Sequence, residues 1–450
     1  MMITSLRLGN IPGKLRKEEF IMVGIDLSAN SPSLAALEQM AFWPKHSLKT
    51  PDEAIYCRNY IEDHGMGRTL ELQESVQPVI NKLNKSSICL DYEKWSIKGI
   101  SPKVIQRQGV LERIQQSLRI GTYSVTDDDQ IVKRAQMKGI TVERKINWLV
   151  EHRHDNPLID LLLKKRNLDM FIKRFQDGLP SPNIYGVSVL TGNWDSYSSL
   201  SGRISAHSLP MTALPKGMRD CYSAPDIDGE KAVYVSFDEA QVELRLLAGF
   251  SHCEGLIAQL LQGEDIHSSF ASELFGVSVD SVTVDMRNAS KKIIYGTIYG
   301  AGSQRLHKIV EKYQLPVEIQ PNTLLQSKYP EMVDALRMFR TSDEIWYGLQ
   351  QISIPPKIGN DCLSPAVKQN LPIQSAASLL IKEALVLLPD CINVVNVIHD
   401  ELICWCKQSD LQWVSSQVLQ AYERAATTLH FYLPMTNFIK VDILGGKRNE

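Results

Sequence analysis

The chain has 450 residues, 44% of them hydrophobic and 22% charged, and 49 Lys and Arg stand against 51 Asp and Glu. That is an ordinary core-forming composition of about three domains' length, and the near-zero net charge excludes a histone-like polycation. No apolar run approaches 18 residues and the first 20 lack a signal-peptide core, so neither a membrane nor secretion is expected. Eight cysteines without a CxxC pair read as reduced thiols in a cytoplasm-like compartment, not as zinc ligands.

Residues 1–85 carry one readable feature, the apolar run FIMVGIDLSAN, which predicts a strand and turn. From Ser86 to Phe175 the periodicity is helical, as in PKVIQRQGVLERIQQSL and NPLIDLLLKKRNLDMFIKRF. Between Ile131 and Phe175, 11 Lys and Arg face 5 Asp and Glu, a local excess of six. On charge alone this is a solvated helix face; a phosphate-tracking surface needs further support. AVYVSFD (232–238) predicts a strand ending on an acid, and INVVNVI (392–398) and ELICWC (401–406) predict two strands joined through His399 and Asp400. Long helical stretches lie between them with no βαβ rhythm, so the class is α+β.

Three segments carry chemistry. Asp238 closes a strand and is followed by Gln241, Glu243 and Arg245. Arg287, Lys291, Tyr295 and Tyr299 follow at four-residue steps. Each step drifts about 40° round a helix, so the first three share a face and Tyr299 sits further round. His399, Asp400 and Glu401 form the tip of a hairpin. Two carboxylates on separate strands suit two Mg²⁺ ions and an in-line phosphoryl displacement, because Mg²⁺ leaves its other positions to water and phosphate oxygens. A helix face with Arg then Lys complements a polyphosphate, and aromatic rings beyond it can stack on a base. Taken singly, these pieces are more often a turn, a solvated face and core packing; their order and spacing together are informative.

On those residues the chain resembles the family A DNA polymerases, the polymerase I and phage-type group. SFDEAQVELRLLAGFS looks like their motif A, RNASKKIIYGTIYG like motif B and VIHDELIC like motif C. SGRISAHSLPMTALPKGMRDCYSAP, EDIHSSFASELFG, NLPIQSAASLLIKEAL and NPLIDLLLKKRNLDMFIKRF are similar to supporting segments in the same order, so the likeness runs from about residue 90 to 450. The resemblance implies a right-hand α+β polymerase with a helical thumb (86–190), an antiparallel-sheet palm (191–250 and 346–450), helical fingers (251–345) and an N-terminal segment (1–85). It implies extension of a primer 3′-OH on a DNA template with dNTPs, and no membrane partner. Asp238 and Asp400, with the Glu239 carbonyl, are then the holders of two Mg²⁺ ions, and Glu401 is an auxiliary acid. Arg287 and His267 are expected on the outer phosphates. Lys291 is expected on the inner ones, as proton donor to pyrophosphate. Gln241, Glu243, Tyr295 and Tyr299 are expected around the incoming nucleotide, with Tyr299 stacking near the nascent base pair. Arg203, Asn370, Gln374 and His399 are expected on the primer–template, where contacts tolerate any sequence. The basic stretch falls in the thumb, which turns Lys164, Lys165, Arg166, Lys173 and Arg174 into expected DNA contacts.

The alternatives are a single-subunit RNA polymerase relative and a degenerate protein that only binds primer–template. Glu243 stands where the DNA-synthesising members wall off a ribose 2′-OH, His-Asp-Glu replaces the His-Asp-Ser usual in the RNA enzymes, and Tyr295 replaces their Met; all three favour dNTPs. The Tyr form at 295 further resembles members that accept dideoxynucleotides. Asp26-Leu27-Ser28 does not supply the Asp-x-Glu of a proofreading exonuclease, so no proofreading is expected. Residues 1–85 then read as a vestige of such a domain or as a dock for a separate exonuclease or processivity factor. Departures from the pattern are Glu239-Ala240 within motif A, which is expected to add a carboxylate near the metals, Thr212-Ala213 ahead of Leu214-Pro215, a missing Gly-Arg-Arg stretch, and Ala366 in place of Arg.

Overall fold

The computed structural model describes residues 67–445, apart from 123–124, 197, 208–210, 314–316, 343–344 and 353–362. The strand expected in FIMVGIDLSAN and the role of most of residues 1–85 lie outside the described residues. The chain divides into two compact units. Of the described residues, the larger takes in 67–85, Trp194–Ser205 and Val235–Asp442; the smaller takes in Ser86–Asn193, Ala206–Tyr234 and 443–445.

The larger unit begins with α1 (Gly67–Ser75) and α2 (Gln77–Leu83). Gln77 donates to the Ser196 hydroxyl at 3.0 Å, and Asn84 exchanges hydrogen bonds with the Trp194 backbone. The end of the N-terminal segment is therefore tied to the strip that precedes Arg203.

In the smaller unit, β1 (Ser87–Asp91) is followed by α3 (Ser101–Leu118), α4 (Asp128–Met137), α5 (Pro157–Ile172) and β2 (Val187–Thr191). Strand β1 corrects the all-helical reading of this region. It pairs antiparallel with β2, Ser87 opposite Thr191, and a partner a hundred residues away leaves no local trace in SICLD. The helices behave as expected. Asn156 caps α5 by accepting from Leu158 N–H at 2.9 Å, with Pro157 at the first turn where its missing N–H costs nothing. Val110, Ile114, Leu118, Ile131, Leu158 and Leu162 close into one core, each contributing roughly 1.5–3 kcal/mol on burial.

The chain then forms β3 (Ala232–Glu239), α6 (Val242–Ser251), α7 (Ile266–Phe275), α8 (Val284–Ile298), α9 (Pro365–Leu387), β4 (Asn393–Ile398), β5 (Glu401–Lys407), α10 (Leu411–Thr428) and β6 (Ile439–Leu444), which lie in the larger unit except for the first three residues of β3 and the last two of β6. Four strands form one sheet in the order β6-β3-β5-β4. Strands β4 and β5 are an antiparallel hairpin with Ile398 opposite Glu401, so its loop is His399-Asp400 alone. A two-residue loop needs left-handed backbone, and His399 supplies it with φ of +55°. Helices α6, α7 and α8 share a core containing Leu247, Phe270, Ile293 and Phe339. Helix α8 is capped by the Thr283 hydroxyl accepting from Met286 N–H and stops before Gly300, whose φ is +76°. A Cβ on Gly300 would meet Ala366 at 2.9 Å, so the end of α8 and the start of α9 approach as closely as backbone allows.

Candidate active site

Strands β3 and β5 are neighbours, and the backbone N–H of Glu239 donates to the Asp400 carbonyl at 2.9 Å. Asp238, the preceding residue, and Asp400 are thereby brought to the same end of adjacent strands from positions 162 residues apart. A cleft of about 600 Å³ opens beside Asp400, while Asp238 is not among the residues that line it. Asp400, His399, Glu239 and Gln241 border it from the sheet, and Lys291, Tyr295 and Tyr299 from α8. The expected helix face is real: Lys291 lies 5.9 Å over the Tyr295 ring, and Tyr299 stands just past the last turn.

The side wall is a three-residue cluster. The Glu243 carboxylate, 7% exposed, accepts from Arg203 Nη2 at 2.9 Å and from the Tyr299 hydroxyl at 2.8 and 3.0 Å. Burial pushes its pKa up, while Tyr299 and Arg203 pull the other way. Glu243 is the second residue of α6, which starts at Val242 directly after Gln241 turns the chain with φ of +59°.

Arg287 stands outside the cleft lining. Its guanidinium makes a two-point ion pair with Asp265, Nε to Oδ2 at 2.6 Å and Nη2 to Oδ1 at 3.2 Å. Asp265 also caps α7 by accepting from His267 N–H. Burial works to raise its carboxyl, but the Arg287 and Ser268 hydrogen bonds hold it down to about 2. His267 is 2% exposed with its ring 5.8 Å from that of Tyr295, and its Nδ1 has no hydrogen-bond partner. Burial lowers it to about 4 against the pull of Asp265. At neutral pH this imidazole therefore offers an N–H or a lone pair and no charge.

Other expectations fare differently. The Glu239 side chain does not add a charge beside Asp238: it is buried and accepts from the Tyr422 hydroxyl of α10 at 2.5 Å. Successive strand residues face opposite ways, so a side chain next to Asp238 points to the other layer. Burial raises its pKa well above the usual carboxylate range. Glu401 is likewise inside and accepts from the Ser236 hydroxyl. Asn370 and Gln374 line a neighbouring recess of about 460 Å³ together with Arg203, Tyr299 and Ala366. Both polar atoms of the Asn370 amide are buried there without a hydrogen-bond partner.

In the smaller unit Lys165 leaves the set of surface cations. It is 4% exposed, with its ammonium 2.6 Å from Asp128 and 2.9 Å from Asp169. Lys164 pairs with Asp160 on the surface of α5, and Arg166 donates to the Arg144 carbonyl. Lys173 and Arg174 are exposed on the irregular turn that continues α5. Charge counting could not separate a buried cation from a solvated one.

Reasoning on motifs overlooked Asp265, Tyr422 and the α9 residues Ser378 and Lys382. Asp265 had a signal, an acid one residue before a helix start. The others meet their partners only across the fold. Among the described residues no group of three or more His, Cys, Asp or Glu is arranged to hold a metal, and no helix is long and apolar enough to cross a membrane.

Residues 120–327 match the family model of DNA polymerase family A. The chain is 25% identical over 300 residues to the thermostable DNA polymerase I of Thermus caldophilus, an alignment covering 61% of this chain and 34% of that protein. To the Thermus filiformis enzyme it is 23% identical over 416 residues, covering 86% and 47%. It thus spans between a third and a half of the length of these relatives. A solved structure of the POL domain of Pol1 from M. smegmatis, in complex with DNA primer-template and dNTP, superimposes with a TM-score of 0.71 at 18% identity, over 92% of this chain and 81% of that one. The architecture is that of a right-hand polymerase, with helical thumb and fingers and an antiparallel-sheet palm. The chain is thus similar to DNA polymerase family A over residues 120–327 and shares the polymerase fold.

Proposed function

We propose that this chain is a DNA-directed DNA polymerase, extending a primer 3′-OH with dNTPs and releasing pyrophosphate. The observation that carries it is the hydrogen bond from Glu239 N–H to the Asp400 carbonyl, because it seats two acids from distant motifs at one strand end beside a cleft that Lys291 also borders. In this reading residues 191–250 and 346–450 are palm, 251–345 fingers and 86–190 thumb.

Asp238, Asp400 and the Glu239 carbonyl are all hard oxygen donors, which fits Mg²⁺ and not a thiol- or imidazole-seeking metal. Two such ions, when bound, supply activation of the hydroxyl nucleophile and neutralisation of the leaving phosphates. The protein's own share is positioning and charge. Lys291 meets the inner phosphates and is the proton donor for the leaving group. Arg287 meets the outer phosphates, which requires it to exchange Asp265 for the nucleotide. His267 adds a neutral N–H beside it. The Glu243 carboxylate, held by Arg203 and Tyr299, occupies the space a 2′-hydroxyl needs. Asn370 supplies an unsatisfied amide to the duplex, with Gln374 beside it in the recess, and an amide buried without a partner costs about 1–3 kcal/mol until a ligand pairs with it.

Primer extension by the native chain and by Asp400→Asn, each with dNTPs and with rNTPs, tests this. Native extension with dNTPs and a loss of at least about a thousandfold in Asp400→Asn are expected. Extension by Asp400→Asn at the native rate would remove the metal assignment, and preference for rNTPs would select the RNA-synthesising alternative.

A further inference from the structure

Lys382 of α9 is 0% exposed, and a lysine in such a place needs a reason. Its Nζ donates to Gln73 Oε1 and to the Ser196 carbonyl, both at 2.8 Å. One turn earlier on the same helix, Ser378 is 2% exposed and donates its hydroxyl to the Gly202 carbonyl at 2.6 Å. Residues four apart lie on one helix face, so α9 presents two donors side by side. They grip Ser196 and Gly202, near the two ends of the strip that leads into Arg203. Within that strip the Arg203 N–H donates to the Ser199 hydroxyl at 2.7 Å, which closes a local turn. The next contact outward is Arg203 to Glu243 at 2.9 Å.

We propose that Ser378 and Lys382 are positioning residues for sugar selection: by holding the strip Ser196–Gly202 they fix where Arg203 sets the Glu243 carboxylate, and so how closely the cleft excludes a ribose 2′-hydroxyl. Ser378 also borders the cleft, but its hydroxyl is committed to the Gly202 carbonyl, and Lys382 likewise acts through the Ser196 carbonyl. The chemistry of the two donors suits a fixed strut. Burial, against the pull of Asp195, draws the Lys382 ammonium down to about 7. Whether charged or neutral, the amine has enough N–H donors for the two acceptors it meets. A hydroxyl between helix and strip adds a third bond without charge. No loop-only arrangement would hold Arg203 as firmly, because a strip without regular structure has no backbone ladder of its own.

The inference rests on the reading of Glu243 as the wall against a 2′-hydroxyl, and Glu243→Ala separates the two. Single-nucleotide incorporation of a dNTP and the matching rNTP is measured for the native chain, Glu243→Ala, Ser378→Ala, Ser378→Thr and Lys382→Met. The rNTP-to-dNTP ratio of kcat/KM should rise about tenfold in Ser378→Ala and at least as much in Lys382→Met, the size expected for one lost positioning hydrogen bond. The change should appear mainly in the KM for rNTP, with the dNTP values moving little. Ser378→Thr keeps the hydroxyl and should retain the native ratio. A ratio that stays native in Ser378→Ala while Glu243→Ala relaxes it overturns the inference alone, whatever the folding of Lys382→Met. A native ratio in Glu243→Ala as well overturns the reading of the wall beneath it.

Discussion

Glu243 concentrates the specificity question in one carboxylate. Arg203 and Tyr299 both donate to it, so its truncation removes the wall and leaves a guanidinium and a phenol without their acceptor. We expect Glu243→Ala to admit rNTPs with a ratio raised about a hundredfold, since a site rejects an extra hydroxyl by lack of room and loses that rejection with the side chain. Competition between a dNTP and its rNTP on one primer–template reads this directly, and unchanged discrimination would reassign Glu243 to packing. Glu239 shows the opposite lesson. Its position in the motif suggested an added charge at the metals, yet alternation along β3 sends it to Tyr422, where burial favours the neutral acid.

Helix α8 and the start of α7 act as one element through Arg287 and Asp265. Both side chains are about two-fifths exposed, so water screens the pair and its worth to stability is at most about 1 kcal/mol. The Asp265 carboxyl is held below its unfolded value. Its contribution is therefore full above about pH 4 and is lost as pH falls through about 2. Its larger consequence under the proposed function is competition: to meet the outer phosphates, the Arg287 guanidinium would first have to leave Asp265. Asp265→Asn keeps the helix cap but weakens the pair. We expect its melting temperature to stay within a few degrees of native and the KM for dNTP to fall several-fold. A KM that rises would mean that Asp265 positions Arg287 and does not compete for it.

Across the larger unit, Lys382 ties α9 to α1 and to the strip around Ser196, joining segments more than 180 residues apart in sequence. Its folded pKa of about 7 lies below the unfolded value of about 10.4. Between those values the unfolded chain binds more protons, so this group makes stability rise with pH. Lys382→Met removes that dependence and strands two acceptors, at about 1–3 kcal/mol each if dry. Melting of native and variant chains at pH 6.5 and 8.5 should show a deficit that is larger at the higher pH. Equal deficits at both would mean that the ammonium stays charged in the fold.

Local pattern was enough for much of this molecule. The strand ending at Asp238, the hairpin turning on His399-Asp400 and the helix carrying Arg287, Lys291 and Tyr295 were all legible, because periodicity and turn chemistry act over a few residues. The resemblance to family A was legible for a related reason: Arg287, Lys291 and Tyr295 keep their spacing on a single helix. What only the tertiary structure decided are the pairings that close over long stretches of chain. Ser87–Asp91 is a strand because Val187–Thr191 lies beside it. Lys165 is an interior cation because Asp128 and Asp169 enclose it. Arg203 reaches Glu243 because α9 holds the strip before it. Side-chain type states which bonds a residue is able to make, but burial and the partner that packing brings within 3 Å select the one it does make.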